Sequence, residues 1–303
     1  MNQQEQNETS DIKFLSNPDW KDYQLLDSGD GRKLERYGPY RLIRPEVEAI
    51  WRPALAQSVW DSAQATFMPG SETHGGHWKF AEEIPDRWTM VYRDLKFWVQ
   101  TSASRHLGIF PEQAVQWDWI IKQIGSVNRP VKVLNLFGYT GIASLAAASA
   151  GAIVTHLDAS QKVLSWAKDN QQVSGLAECP IRWIKDDALK FTKREARRQN
   201  KYDGLILDPP KFGRGPQGEV WDFYKLIPSL LDTCRQVLSV QPVFVLITAY
   251  AVKASAMTLY HAVDEMMETW QGDTVAGEVA LTENSRGRKL SLAIFARWSA
   301  NEK

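Results

Sequence analysis

The chain has 303 residues, which is enough to bury a sizeable core and favours about two domains. Because 36 Lys and Arg balance 36 Asp and Glu, the zero net charge gives no sign of a polyanion-binding protein, and any contact with nucleic acid depends on local clusters. The two cysteines lie far apart and no apolar run approaches the roughly 18 residues of a membrane span, which excludes a disulfide-rich scaffold and favours a cytoplasmic protein.

The front of the chain predicts a polar tail followed by a small β-rich domain. Residues 1–17 are expected to be disordered, and residues 18–105 are expected to form an aromatic-rich accessory domain. Short candidate strands between residues 23 and 43 alternate with turns, and residues 88–99 predict a hairpin around Arg93 and Asp94. Basic residues alternate with tyrosines in the first strands, which suggests either an RNA-binding surface or a solvated strand face with inward tyrosines. These residues are Arg32, Lys33, Arg36, Arg41 and Arg44.

No metal site is predicted. His74 and His77 flank two glycines, but neither a cysteine nor an acidic residue lies at ligand spacing from them. We therefore expect an ordinary loop at this position.

The strongest pattern is a strand, a glycine turn and a helix within residues 131–151. Residues 131–137 predict a buried parallel strand, residues 138–141 a tight turn, and the Ala-rich residues 142–150 a helix close to a sheet. Glycine lets the backbone approach a ligand, and a helix N-terminus offers free N–H groups. The pattern therefore predicts a nucleotide site.

Acidic residues follow the next three predicted strands. Asp158 ends the second strand, where a carboxylate can accept from ribose hydroxyls, and Asp187 follows the third, where it can accept from an adenine amino group. Asp208 ends the fourth strand, in a rigid Asp-Pro-Pro turn. The glycine turn lacks G-x-G-x-x-G and carries bulky residues where a pyrophosphate would need room, which favours a ligand without phosphates.

At these residues the chain resembles the class I S-adenosylmethionine-dependent methyltransferases, and more closely the bacterial large-subunit ribosomal RNA base methyltransferases. Four motifs carry the resemblance, which covers about residues 90–300: NLFGYTG from Asn135, LDAS from Leu157, DDALKF from Asp186 and DPPKF from Asp208. The resemblance implies an α/β fold, a Rossmann-like seven-stranded sheet with an antiparallel last strand, over residues 106–303. It also implies S-adenosylmethionine as cofactor and RNA, in particular ribosomal RNA, as substrate. The residue spacing and composition described above predict neither a metal nor a membrane partner.

The resemblance assigns two sets of residues to the site. The expected cofactor-binding residues are Phe110, Gln113, Asn135, Phe137, Gly138, Tyr139, Thr140, Gly141, Asp158, Ala159, Ser160, Asn170, Asp187, Ala188 and Asp208. The expected residues on the acceptor side are Asp208, Pro209, Pro210, Lys211 and Phe212. Residues 106–113 are similar to a segment that covers the cofactor in the family, although His106 and Ala114 stand where a Lys and an Arg are typical.

The acceptor is predicted to be a nitrogen. Relatives that methylate the ring carbon of cytosine attack it with a thiolate, commonly after the strand that follows Asp-Pro-Pro, and this chain has no cysteine in residues 246–251. Methyl transfer to a nitrogen needs mainly alignment of the acceptor. Two alternatives stay open: a methyltransferase acting on a protein or small molecule, and a non-catalytic RNA-binding relative.

A basic helix follows the third strand. It either tracks phosphates or forms a solvated face. Its basic residues are Lys190, Lys193, Arg194, Arg197, Arg198 and Lys201.

Overall fold

The computed structural model describes residues 12–16, 19–70 and 76–301. The front part of the chain contains the strands β1 (Lys13–Leu15), β2 (Tyr23–Gly29), β3 (Arg32–Tyr37), β4 (Tyr40–Pro45), β5 (Ala65–Met68), β6 (His77–Phe80), β7 (Arg87–Tyr92) and β8 (Leu95–Gln100), with helix α1 (Gln57–Trp60) between β4 and β5. A 3-10 turn (Pro111–Gln113) then leads to α2 (Ala114–Gly125), β9 (Lys132–Leu136), α3 (Ile142–Ser149), β10 (Ile153–Asp158), α4 (Gln161–Val173), β11 (Ile181–Lys185), α5 (Ala188–Arg197), β12 (Gly204–Leu207), β13 (Phe212–Arg214), β14 (Val220–Asp222), α6 (Phe223–Val237), β15 (Phe244–Ala249), α7 (Ala256–Met267), β16 (Gly272–Thr282) and β17 (Lys289–Ala300).

The main sheet confirms the predicted Rossmann-like architecture. Its strand order is β1-β16-β17-β15-β12-β9-β10-β11. The five strands β15, β12, β9, β10 and β11 run parallel to one another, and β17 runs antiparallel to its neighbours β15 and β16. The strand order reverses at β9, which has β10 on one side and β12 on the other. Such a switch point opens a crevice at the carboxyl ends of the strands, where ligands of α/β sheets bind.

The sheet has eight strands, one more than the seven expected. The extra strand is β1, which pairs in parallel with β16 and lies in the segment expected to be a disordered tail. Close approach is possible because Gly277 faces it: a Cβ there would lie 1.9 Å from the carbonyl oxygen of Lys13. Residues 1–11 and 17, the rest of that expected tail, lie outside the described residues.

The amphipathic pattern of residues 221–238 predicts a helix, and the helix in the structure begins at Phe223. Trp221 belongs to β14, which pairs antiparallel with β13 directly after the Asp-Pro-Pro turn. We call this hairpin, residues 212–222, the flap. Two residues of the predicted basic helix, Arg198 and Lys201, lie beyond the observed helix, since α5 ends at Arg197.

The front part forms a five-stranded sheet, β2-β3-β4-β5-β6, and the predicted hairpin, β7-β8. The inward-tyrosine interpretation holds for Tyr37, which is fully buried, and in part for Tyr40, which is half-buried and packs against Trp88. Two of the five cations proposed for an RNA surface are buried as well: Lys33 Nζ lies 3.2 Å from the Glu46 carboxylate, and Arg44 Nε lies 2.6 Å from the Glu35 carboxylate. An unpaired charge is costly to bury, so these cations form internal ion pairs.

One hydrophobic cluster joins the front part to the helices of the main sheet. Trp20 and Phe97 of the front part pack with Trp117 of α2, and Leu145 of α3 belongs to the same cluster. The domain boundary between residues 105 and 106 therefore stays a prediction.

No helix in the described part of the chain is long and apolar enough to cross a membrane. Within the same residues no group of three or more His, Cys, Asp or Glu side chains is arranged to hold a metal ion. His74, one of the two histidines considered for a metal, lies outside the described residues.

Candidate active site

A cleft of about 610 Å³ opens at the carboxyl ends of the parallel strands. It brings together residues from the ends of β10 and β12 and from the N-terminus of α5, all predicted from the sequence. The expected residues that line it are Phe110, Phe137, Tyr139, Asp158, Ala159, Ser160, Asp187, Ala188, Asp208, Pro209, Pro210, Lys211 and Phe212.

The glycine turn after β9 has a constrained backbone. Phe137 and Tyr139 have positive φ angles of 58° and 51°, and Gly141 has a φ of 86°. A non-glycine residue in this region costs about 1–3 kcal/mol, and such residues cluster at functional sites. Gly138 between them has no room for a side chain, since a Cβ would lie 2.3 Å from Cε1 of His156.

Buried polar side chains support the turn from behind. The Asn135 Nδ2 amide donates to Ser144 Oγ at 2.9 Å, and Ser144 Oγ lies 2.9 Å from His156 Nδ1. All three side chains are buried under the turn. This hydrogen-bonded row fixes the strand before the turn to the helix after it.

Asn170, expected to contact the cofactor, is fully buried behind the turn. Its Nδ2 donates to the Thr140 carbonyl at 2.9 Å, and its Oδ1 accepts from the Trp98 backbone N–H at 2.8 Å. Thr140 is also buried and donates its hydroxyl to the Gly108 carbonyl. Asn170 therefore positions the turn, because both ends of its side-chain amide hydrogen-bond to backbone groups.

Asp158 lines the cleft at the end of β10 and is held by backbone N–H groups. Its Oδ2 accepts from Tyr139 N at 3.1 Å and its Oδ1 from Ser160 N at 2.9 Å. Burial raises the pKa of this carboxyl, and the backbone N–H groups oppose the rise. Each oxygen can accept further hydrogen bonds, so the carboxylate can also take ligand hydroxyls.

The N-terminus of α5 forms the adjoining wall. Asp187 caps this helix, because its Oδ1 accepts from Lys190 N at 2.9 Å, and its own N–H donates to Asp186 Oδ1 at 2.8 Å. Asp186 is in turn paired with Arg194. The cap fixes Asp187 and places Ala188 at the cleft surface.

Asp208 lies at the floor of the cleft, where β12 ends. Its carboxylate has no hydrogen-bond or ion-pair partner among the described residues, in contrast to that of Asp158. Burial, with the Glu112 carboxylate nearby, raises the pKa of Asp208 to about 8. The next residue, Pro209, is buried, and the Pro210 carbonyl accepts from Trp221 Nε1 at 2.6 Å, which ties the turn to the flap.

The flap borders the mouth of the cleft with an exposed aromatic ring. Phe212 is 63% exposed, and Lys211 Nζ lies 5.5 Å from the centre of its ring. An ion pair between Lys190 and Glu219 joins α5 to the flap. Phe212 is thus free to stack on a ligand at the mouth.

The opposite wall contains residues that sequence reasoning missed. Arg105 and Tyr250 line the cleft beside His106, and Tyr250 Oη accepts from Gln113 Nε2 at 2.9 Å. Phe110 packs against Tyr250 with ring centres 5.1 Å apart. Tyr250 lies within residues 246–251, the segment that contains no cysteine. The one sequence signal for its position in the cleft is that this segment ends β15, which pairs with the strand before Asp-Pro-Pro.

His106 is an uncharged member of this wall. Burial, with the cations Arg44 and Arg105 nearby, lowers the pKa of His106 to about 3. The family position that typically carries a lysine therefore holds a neutral ring here.

Comparison with known proteins agrees with this geometry. The sequence profile of the S-adenosylmethionine-dependent methyltransferases matches residues 48–281. The chain belongs to this family. A crystal structure of the S-adenosylmethionine-dependent methyltransferase from Agrobacterium tumefaciens is 43% identical, covers 97% of both chains and superposes with a TM-score of 0.91. A Streptococcus mutans structure assigned to the same class shares the fold at 17% identity and a TM-score of 0.70, over 91% of this chain and 75% of that one.

Curated relatives of this methyltransferase match over shorter stretches. The ribosomal RNA large subunit methyltransferase K/L of Hahella chejuensis is 34% identical over 50% of this chain and 20% of its own length. The ribosomal RNA large subunit methyltransferase K of Neisseria meningitidis is 24% identical over 70% of this chain and 61% of its own length. The chain thus spans less than two thirds of these proteins.

The cofactor of the methyltransferase is S-adenosylmethionine, and the cleft suits it. Asp158 retains acceptor capacity for hydroxyl groups, and Phe137, Tyr139 and Ala188 line the cleft beside it. The bulky residues of the turn give no cradle for a pyrophosphate.

Neither cysteine lies in the wall of the cleft. Cys234 is fully buried in α6, and burial raises the pKa of its thiol far above the ordinary value. Cys179 is half-buried in the loop before β11. A thiolate nucleophile at the acceptor position is therefore absent from the described residues.

Proposed function

We propose that this methyltransferase transfers a methyl group to a nitrogen of an RNA base, with ribosomal RNA as the first candidate. The observation that carries the proposal is the acceptor side of the cleft. An unpaired carboxylate and an Asp-Pro-Pro turn lie beside an exposed aromatic ring, with no thiol in the wall.

The cofactor half would hold the nucleoside and the amino-acid part separately. Asp158 would accept from the ribose hydroxyls, and Asp187 with Ala188 would hold the adenine at the helix N-terminus. The turn around Gly138 would lie against the methionine part. When bound, S-adenosylmethionine supplies an electrophilic methyl group on a sulfonium.

The acceptor half would align a nucleophile that has its own lone pair. Asp208 and the carbonyl of Pro209 can orient a nitrogen, and Phe212 can stack on the plane of a base. In its ionised form Asp208 can also receive the proton that the nitrogen loses after transfer, and its raised pKa makes it a stronger proton acceptor than an ordinary carboxylate.

Two further observations support an RNA substrate. The curated relatives are named for large-subunit ribosomal RNA, although the chain spans only part of them. Lys193 and Arg197 of α5 are exposed on the helix that begins at the cleft, where they can contact phosphates. A ribosomal RNA substrate would place the enzyme in the cytoplasm.

Mass spectrometry of nucleosides from ribosomal RNA tests the proposal. A strain that lacks the gene is expected to lose one methylated base, and the parent gene should restore it while an Asp208→Ala gene should not. Unchanged ribosomal RNA in the deletion strain would overturn the choice of substrate.

A further inference from the structure

A smaller cavity of about 50 Å³ adjoins the main cleft under the glycine turn. We call it the inner chamber. It lies between α2, α3 and the sheet, and it shares Phe110, Phe137, Tyr139 and Asp208 with the cleft. In the placement proposed above, the methionine part of the cofactor lies against the turn that lines this chamber. The polar residues that line it are Gln113, Gln116, Asn135, Thr140, Asp208 and Thr248.

Three of these polar side chains already have partners. Gln113 donates to Tyr250, Asn135 donates to Ser144, and Thr140 donates to a backbone carbonyl. Gln116 is different: it is 0% exposed, and its Nε2 has no hydrogen-bond partner in the described part of the chain. A buried donor without a partner costs about 1–3 kcal/mol, so a group that satisfies it would bind favourably.

Arg297 fixes the direction of that donor. Its Nε donates to Gln116 Oε1 at 2.5 Å, and its Nη2 donates to the Val115 carbonyl at 3.2 Å. A guanidinium has donors and no acceptor, so the amide oxygen of Gln116 must face it and the NH₂ must face the other way. The free donor is therefore directed away from Arg297, on the side chain that lines the chamber.

Arg297 also brings a positive charge without a carboxylate. No Asp or Glu oxygen of the described residues lies within 4.0 Å of its guanidinium, which packs 4.7 Å from the ring centre of Trp119. Burial lowers the pKa of Arg297 to about 9, in line with a cation held away from water. An anion near the amide of Gln116 would be stabilised by both groups.

We propose that Gln116, oriented by Arg297, binds the carboxylate of the methionine part of S-adenosylmethionine. The carboxylate is the one anionic group of this cofactor, because its other charged groups are an ammonium and a sulfonium. Gln116 would donate a hydrogen bond to the carboxylate. Arg297, bonded to the oxygen of the same amide, would stabilise the negative charge electrostatically. The proposal rests on the position given above for the methionine part, and it is independent of the methyl acceptor.

A cycle of two ligands and two proteins tests the contact. Calorimetry would measure the affinities of S-adenosylmethionine and of its decarboxylated analogue for the parent and for Gln116→Glu. The glutamate can still accept from Arg297, so the variant keeps that contact while losing the donor. A hydrogen bond to a charged group contributes about 1.5–3 kcal/mol, so the parent should bind the analogue about ten- to a hundredfold more weakly than the cofactor.

The variant should lose about the same factor for S-adenosylmethionine and should bind the analogue at least as well as the parent does. The matched control is Gln123→Glu, which adds the same charge to α2 at a position outside the chamber wall and should leave both affinities within about twofold. An equal loss for both ligands would reduce Gln116 to a structural role. An unchanged affinity for S-adenosylmethionine would overturn the contact itself.

Discussion

The half of the cleft proposed to bind the cofactor is held by hydrogen bonds that the protein makes with itself, whereas the half proposed for the acceptor is open. On the cofactor side, Asp158 accepts from two backbone N–H groups and Asp187 caps α5. On the acceptor side, the Asp208 carboxylate has no partner in the described residues, and Phe212 is 63% exposed. In the proposed function the first half is therefore preformed, and the second is completed when the substrate binds.

This difference separates the expected effects of substitutions. Changes in the cofactor half should lower cofactor affinity and stability, because they remove or crowd contacts that exist without ligand. Changes in the acceptor half should lower turnover, because their contacts form with the substrate.

The largest effect is expected for Asp208→Ala. Methyl transfer should fall by about a thousandfold, since the acceptor loses both an orienting group and a proton acceptor. Cofactor affinity should stay within about threefold, because other residues hold the nucleoside. Single-turnover transfer and calorimetry measure the two quantities. A variant that lost affinity and kept turnover at saturating cofactor would assign Asp208 to the wrong half.

Gly138→Ala is expected to break the preformed half. The new methyl group would meet the His156 ring at 2.3 Å, so the free energy of unfolding should fall by about 1–3 kcal/mol and the cofactor should bind more weakly. Gly125→Ala is the control, since nothing lies within 4 Å of a Cβ there. Chemical denaturation of both variants gives the comparison, and equal effects at the two glycines would contradict it.

Asp158→Ala should weaken cofactor binding by about 1–3 kcal/mol, because the ribose hydroxyls lose a charged partner. The maximal rate at saturating cofactor should change little. Calorimetry on Asp158→Asn, which keeps one acceptor, is expected to give an intermediate loss. An effect on the maximal rate alone would show that Asp158 faces the acceptor.

The open half also predicts a pH dependence of stability. Asp208 has an ordinary pKa of 3.8 in the unfolded chain and about 8 in the folded, cofactor-free protein. The folded state thus keeps a proton that the unfolded state loses, so this group destabilises the protein increasingly as the pH rises from about 4 to 8. Asp208→Asn should melt with the parent near pH 4 and at least about 2 °C above it at pH 8. Differential scanning calorimetry across this range would show a constant difference if the shift were absent.

The smallest effect is expected for the cysteines. A double variant, Cys179→Ser with Cys234→Ala, should methylate at close to the parent rate if it stays folded, because neither thiol lines the cleft. RNA containing a fluorinated cytosine should not trap the parent covalently. A thousandfold loss of rate in a folded double variant would instead identify a thiol nucleophile.

The sequence predicted the strands, the glycine turn and the helix N-terminus on this side of the cleft because their signals are local. Each acidic residue directly follows its own strand, and the glycine turn is contiguous with the strand and helix that it joins. These patterns need no knowledge of distant partners.

Features that depend on distant pairing were missed or misread. The strand β1 exists only because it pairs with β16, more than 250 positions away, and Trp221 and Asp222 at the end of the flap fell within a predicted helix. Lys33 and Arg44 resembled surface cations until Glu46 and Glu35 were placed beside them. The free donor of Gln116 depends on Arg297, which lies on the last strand.

The most direct test uses S-adenosylmethionine with an isotopically labelled methyl group. The purified protein would be incubated with ribosomal RNA from a strain that lacks the gene, and the digested nucleosides would be analysed by mass spectrometry. We predict a single labelled base that carries the methyl group on a nitrogen, and no label with Asp208→Ala. Label on a ring carbon, or label found in protein or small molecules and absent from RNA, would contradict the account.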